Sequence, residues 1–164
     1  AEWEYACRAG STSVYPFGDN PKELGKYAWF KKNSKNKYHK VGEKLPNALG
    51  LYDMLGNVAE WTLDQYDEDY FKKLGANAVD PVVAPGARYP RSIRGGSYLD
   101  GEADLRSASR KHSESSWNKR DPQIPKSRWW LTDGMFVGFR ILRPEKQPTA
   151  AEAEAFYNKY LNID

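Results

Sequence analysis

The sequence is short of the side chains that most often carry metal or redox chemistry: 164 residues include one cysteine and two histidines. A lone Cys7 rules out a disulfide within the chain and leaves the redox compartment open. His39 and His112 are isolated in polar surroundings, too few for a metal cluster of the usual spacing, and are expected to face solvent. Within these residues no apolar run is long enough to cross a membrane and none has a signal-peptide pattern, so any targeting signal is expected in a part of the protein that precedes them. The net charge of +3 is too small to mark a nucleic-acid partner. Its one local concentration, Lys31, Lys32, Lys35, Lys37, Lys40 and Lys44, is punctuated by Asn, Ser and Gly and reads as a solvated loop. There is no Ser-His-Asp order, phosphate loop, zinc pattern or internal repeat, and Gly95-Gly96 alone is too weak for a nucleotide site.

What the chain has instead is aromatic: six Trp, eleven Tyr and six Phe among thirteen Gly and ten Pro. Each ring buries a large area while its polar edge can find a partner, so aromatics can build a core despite a mean hydropathy of −0.83. The length suits one domain, and the Gly and Pro content predicts a loop-rich fold of short elements.

Residues 1–9 are expected to be helical, with Trp3, Ala6 and Cys7 inward and Gly10 ending the helix. No N-cap precedes it, which predicts a piece of a longer protein. Tyr27 to Phe30 is a strand candidate. Asp64 to Lys73 suits a short helix or irregular segment, and Asp80-Pro81 a turn. Arg91 to Tyr98 is the clearest strand pattern, its paired glycines indicating a bulge or a close backbone approach. Leu105 to Arg110 alternates like a second strand. Lys111 to Asp133, with Trp129-Trp130-Leu131, is a long excursion of the kind that is functional or a packed lid. Phe136 to Leu142 is an apolar final strand. Thr149 to Glu152 forms a capping box, and Ala153 to Leu161 continues as a helix.

The organising stretch is Gly50 to Trp61. Leu51, Met54, Leu55 and Val58 fall at i, i+3, i+4 and i+7, predicting one helical turn with a buried face. Gly56-Asn57 then turns the chain, and Val58 to Thr62 continues as a strand with Glu60 and Trp61 on opposite faces. Spacing alone favours a packed corner over a small oxygen cage for a hard cation.

The stretches AEWEYACRAG, YPFGDN, YAWF, PNALGLYDMLGNVAEWT, RGGSY, LRSASR and GFR, in this order across residues 1–142, resemble the formylglycine-generating enzyme, or sulfatase-modifying-factor, family. The resemblance implies an α+β, C-type-lectin-like fold, loop-rich with short strands and few helices. It divides the chain into a family domain at 1–144, lacking its N-terminal part, and an appended helix at 145–164. It implies a calcium site formed by the carbonyls of Leu55, Gly56 and Val58, the carboxylate of Glu60 and the side-chain oxygen of Asn57. The family's other calcium site has an Asn where this chain has Trp29, so that site is expected to be missing.

Trp61 and Ser97 match positions lining the family's reactive pocket. The two copper-binding cysteines of the active members, however, correspond to Asp100 and Leu105, and the disulfide partner of Cys7 corresponds to Ile141. Copper(I) selects soft thiolates, so copper is not expected here. Asp100, Glu102 and Asp104 read first as an acidic surface turn and second as a metal or acid/base site in the vacated pocket. Arg94, Arg106, Arg110 and Arg140 read as clamps of a loop-rich fold.

The expected function is therefore a non-oxidase, calcium-stabilised binding or assembly module with a protein or glycan partner, its surface shaped by the loop from Lys111 to Trp130. The competing expectation is an oxidoreductase using another metal or residues outside this chain. Related proteins with calcium sites are often exported, which points to an extracytoplasmic setting.

Overall fold

The computed structural model describes residues 1–79, 81–128 and 130–161. Helix α1 spans Glu2–Arg8 and ends where Ala9 (φ 49°) and Gly10 (φ 88°) turn left-handed. It buries Cys7 completely, while Trp3 and Ala6 pack against the same core with Leu24, Met54, Leu55 and Leu105. A second, smaller core lies against the sheet, where Ala59, Ile93 and Trp117 pack with Trp61, Leu131 and Phe136. Among the described residues no helix is long and apolar enough to cross a membrane.

Four short strands among the described residues form one sheet: β1 Ala59–Gln65, β2 Arg91–Arg94, β3 Lys111–His112 and β4 Val137–Gly138, in the order β3-β2-β1-β4. β2 lies antiparallel to β1, pairing Glu60 with Arg94 and Trp61 with Ile93. β4 lies parallel to β1, pairing Glu60 with Gly138. Alternation along β1 thus sends Glu60 toward α1 and Trp61 into the second core. Helices α2 (Leu24–Tyr27) and α3 (Tyr70–Lys73) are single turns. Helix α4 (Ala150–Tyr160) carries the expected capping box and is exposed along its length except at half-buried Tyr160.

Several expected elements are different. Tyr27 to Phe30 is not a strand. Tyr27 closes α2, and the Asn33 side chain bonds both Ala28 O (2.9 Å) and Phe30 N–H (2.8 Å), filling places a neighbouring strand would take. Leu51 to Leu55 is not helical, because Asp53 adopts φ 53°, and the apolar spacing serves an irregular core segment instead. Leu105 to Arg110 is not a strand. Its inward residues Leu105 and Ser107 are both fully buried, but Leu105 ends a 3-10 turn (Glu102–Leu105) and Ser107 N–H bonds the loop carbonyl of Val14 (3.0 Å). Of Phe136 to Leu142 only two residues pair, and Phe139, Ile141 and Leu142 are exposed. His39 does not simply face solvent. Its ring stacks on Trp29 at 3.8 Å, with Lys44 Nζ over the same indole at 3.8 Å. Asp80 and Trp129, from the expected turn and aromatic run, lie outside the described residues.

Candidate functional site

Two glycine-marked corners face each other at the start of β1 and the end of β2, joined by a hydrogen bond from Gly56 N–H to Gly95 O (2.9 Å). The first is the Gly50–Trp61 stretch. Gly56 sits at φ 71°, and a Cβ there would lie 2.2 Å from Trp29 O, so no other residue fits without moving backbone. The neighbouring Asn57 N–H donates to Trp29 O (2.7 Å), and Tyr98 N–H donates to Asn57 O (2.8 Å). The Asn57 side chain is occupied on both sides by the backbone of His39, accepting from its N–H (2.9 Å) and donating to its carbonyl (3.2 Å).

Glu60, only 6% exposed, is held at both oxygens. Trp3 Nε1 donates to Oε2 (2.8 Å), and Arg140 forks across Oε2 (3.1 Å) and Oε1 (2.7 Å) while also donating to Tyr52 O (2.9 Å). Glu60, Arg140 and Tyr52 wall a cleft of roughly 430 Å³ that also takes in Val41, Asp53, Asn57 and Val58. Asp53 is the residue that sequence reasoning missed. Its Oδ2 accepts from Gly42 N–H (2.7 Å), while its Oδ1 is buried with no hydrogen-bond partner. The signal was a second carboxylate inside the organising stretch, overlooked because the apolar spacing around it suggested a helix.

Of the five residues expected to hold a metal, Asn57, Val58 and Glu60 line this cleft. Leu55 is 2% exposed in the first core, and Gly56 lies against the Trp29 backbone. Among the described residues no three His, Cys, Asp or Glu side chains converge on one point. A cation in the cleft would therefore rest on two carboxylates and backbone oxygens. An orphaned carboxylate oxygen, on a residue that lines the same cleft as a second carboxylate, is the kind of donor a hard cation takes, with water completing the shell.

The second corner is filled. Gly95 and Gly96 adopt φ 89° and 67°, and a Cβ on Gly96 would meet Leu105 Cδ1 at 2.9 Å. Ser97, 1% exposed, donates from N–H (2.7 Å) and Oγ (2.8 Å) to Asp100 Oδ2. Asp100 Oδ1 meets Lys111 Nζ at 2.5 Å, and Lys111 also reaches Asp104 (3.3 Å). Burial pulls the Lys111 ammonium down, but the two carboxylates outweigh it and leave its pKa raised. Glu102 pairs instead with Lys32 (2.7 Å), so the three carboxylates form an acidic turn paired with lysines. Leu105 contributes only core packing. Trp61 packs on Trp117 (5.7 Å) in the second core, so it does not share this hydrogen-bonded corner with Ser97 and Asp100.

Around this corner Arg94, 6% exposed, bonds Glu4 (2.9 Å) and Ser107 O (2.7 Å). Arg8 and Arg110 pair with the same Glu4. Burial raises the Glu4 carboxyl, but the hydrogen bonds from Arg94 and Arg8 outweigh it and hold its pKa below the usual range. Cys7 is fully buried, and burial pushes its thiol up to about 11.

Residues 1–124 match the sulfatase-modifying factor enzyme 1-like domain. The formylglycine-generating enzyme of Mycobacterium tuberculosis is 32% identical over 114 residues, covering 60% of this chain and 38% of that protein. The inactive C-alpha-formylglycine-generating enzyme 2 of Bos taurus is 38% identical over 92 residues, covering 48% and 31%. The solved structure of Treponema denticola variable protein 1 superposes with a TM-score of 0.61 at 30% identity, covering 84% of this chain and 43% of that one. The chain thus spans about a third of the length of these two curated relatives. With its helix α1, its two glycine corners and its short curled sheet in an α+β, C-type-lectin-like arrangement, this chain belongs to the formylglycine-generating enzyme family of sulfatase-modifying-factor domains.

Proposed function

We propose that this domain is a non-oxidase member of its family, stabilised by calcium and acting as a binding or assembly module. One observation carries the reading: the two positions matching the copper cysteines are already committed to the fold. Asp100 is tied to Ser97 and Lys111, and Leu105 is fully buried in the first core. Neither offers the soft sulfur that copper(I) selects. The remaining thiol, Cys7, is sealed in the core and stays protonated at neutral pH. An inactive relative in the same family is consistent with a scaffold that outlives its oxidase chemistry.

Calcium would sit in the cleft beside Asp53 and Glu60, with the Val58 carbonyl and water completing its shell. When bound, it would satisfy the Asp53 oxygen that no protein donor reaches. Asp53 is hydrogen-bonded to Gly42 and Glu60 to Trp3, so the ion would tie the lysine loop to α1. A site of this kind suits a calcium-rich extracytoplasmic compartment. The test is metal analysis and oxygen uptake on protein offered copper(I), calcium and a thiol peptide. Calcium as the retained metal with no oxygen uptake is expected; bound copper with oxygen uptake would overturn the reading.

A further inference from the structure

The long excursion after β3 is built outward from the second core. Trp117, 9% exposed, anchors it between Trp61 and Phe136, with ring centroids at 5.7 and 5.1 Å. Asp133 closes it by bonding Trp117 O through its N–H (2.6 Å) and Arg120 through its carboxylate. Within it, Asp121, 5% exposed, turns its carboxylate inward to accept from Gln123 N–H (2.9 Å) and Ser127 N–H (2.5 Å). Asn118, 8% exposed, donates to Ser127 O (3.1 Å), and Lys126 Nζ caps the carbonyls of Asn118 and Lys119. Buried polar groups that are all satisfied in this way hold a loop in one shape.

What this frame holds out is apolar and basic. Residues 122–126 are all exposed, and Ile124 at the tip is 98% exposed, with Trp130 47% exposed nearby in sequence. Residues 118–128 carry Lys119, Arg120, Lys126 and Arg128 against Asp121 alone, with Arg120 paired to Asp133. Lys119 and Arg128 are exposed, while the one acid nearest the tip, Asp121, is buried. A preorganised loop loses little freedom on association, and an apolar anchor flanked along the chain by exposed Lys119 and Arg128 matches a socket bordered by acids.

We infer that the loop from Asn118 to Arg128 is the docking element of this domain, inserting Ile124 into an apolar socket on an acidic protein surface. The inference rests on the binding-module reading and names its partner's chemistry. A protein is favoured over a lipid surface because one isoleucine between Gln123 and Pro125 offers little area for insertion, whereas interfacial segments bury a broad apolar face.

The test pans a library of short random peptides against the full chain and measures affinities of the enriched peptides by fluorescence anisotropy. Enriched peptides are expected to carry aliphatic or aromatic residues flanked by Asp or Glu. Their affinity should fall about tenfold or more with Ile124→Ser, as for a central anchor, and by a smaller factor with Arg128→Ser, an effect that salt also reproduces. Unchanged melting curves would show that both variants fold. Neutral or basic consensus peptides, no enrichment, or binding insensitive to Ile124→Ser would each overturn the inference. So would Ile124-dependent binding to phosphatidylcholine–phosphatidylserine vesicles without peptide binding. Peptides that bind elsewhere would leave the module reading standing, whereas copper-dependent oxygen uptake would remove that reading and leave this surface to be judged by the peptides.

Discussion

Asp53 and Asp100 each follow a glycine-permitted turn and each lies close to the sheet, yet the fold treats them in opposite ways. Asp100 is saturated: Ser97 supplies two donors and Lys111 an ammonium. Asp53 keeps one oxygen buried and unpartnered, in a cleft that it shares with Glu60. A buried carboxylate oxygen without a donor is costly, so a fold retains one where something else satisfies it. The first carboxylate is spent on the fold; the second keeps an oxygen that no protein donor satisfies.

The comparison breaks most severely at Gly56, which both corners depend on. Gly56→Ala would place a methyl 2.2 Å from Trp29 O at a positive φ. A loss of about 4 kcal/mol or more is expected in urea unfolding, in the range reserved for steric failure.

Next comes the clamp behind the filled corner. Glu4→Gln leaves Arg94, 6% exposed, without its charged partner, and a loss of about 3 kcal/mol is expected. The wild-type Glu4 pKa is lowered, so its contribution is complete above the ordinary carboxyl range, near 4.3, and disappears as pH falls through the folded value. The gap between the two proteins in melting temperature should therefore close in acid.

A smaller effect is expected at Lys111, whose side chain is 36% exposed. Lys111→Met should cost about 0.5–1 kcal/mol, because solvent screens part of the interaction. The folded pKa is raised here, so the stabilisation is full below the ordinary lysine range and is lost as pH rises through the folded value. Denaturation measured across alkaline pH checks the sign.

Local chemistry made some of this legible in the sequence. The end of α1 at Ala9-Gly10, the capping box at Thr149 and Glu152, and the strand after Gly56-Asn57 are each determined by neighbouring residues. Partners distant in sequence decided the rest. Leu105 and Ser107 alternate like a strand, yet Ser107 bonds a loop carbonyl at Val14. His39 looked solvent-facing until Trp29 came against it. Glu60 stands out in the sequence after the Gly56-Asn57 turn, but its fork from Arg140, eighty residues away, does not. Asp53 was hidden by an apolar spacing that fits a helix and is used instead by an irregular core segment.

Thermal melting in calcium and in chelator, on the wild type and on Asp53→Asn, tests the account most directly. Calcium at about a hundred times its dissociation constant should stabilise the wild type by about 2.7 kcal/mol. That corresponds to a rise of roughly 5–10 °C for a chain of this size. The rise should vanish in chelator and be absent in Asp53→Asn. Identical wild-type melting with calcium and with chelator would contradict the claim that the unsatisfied corner is a cation site.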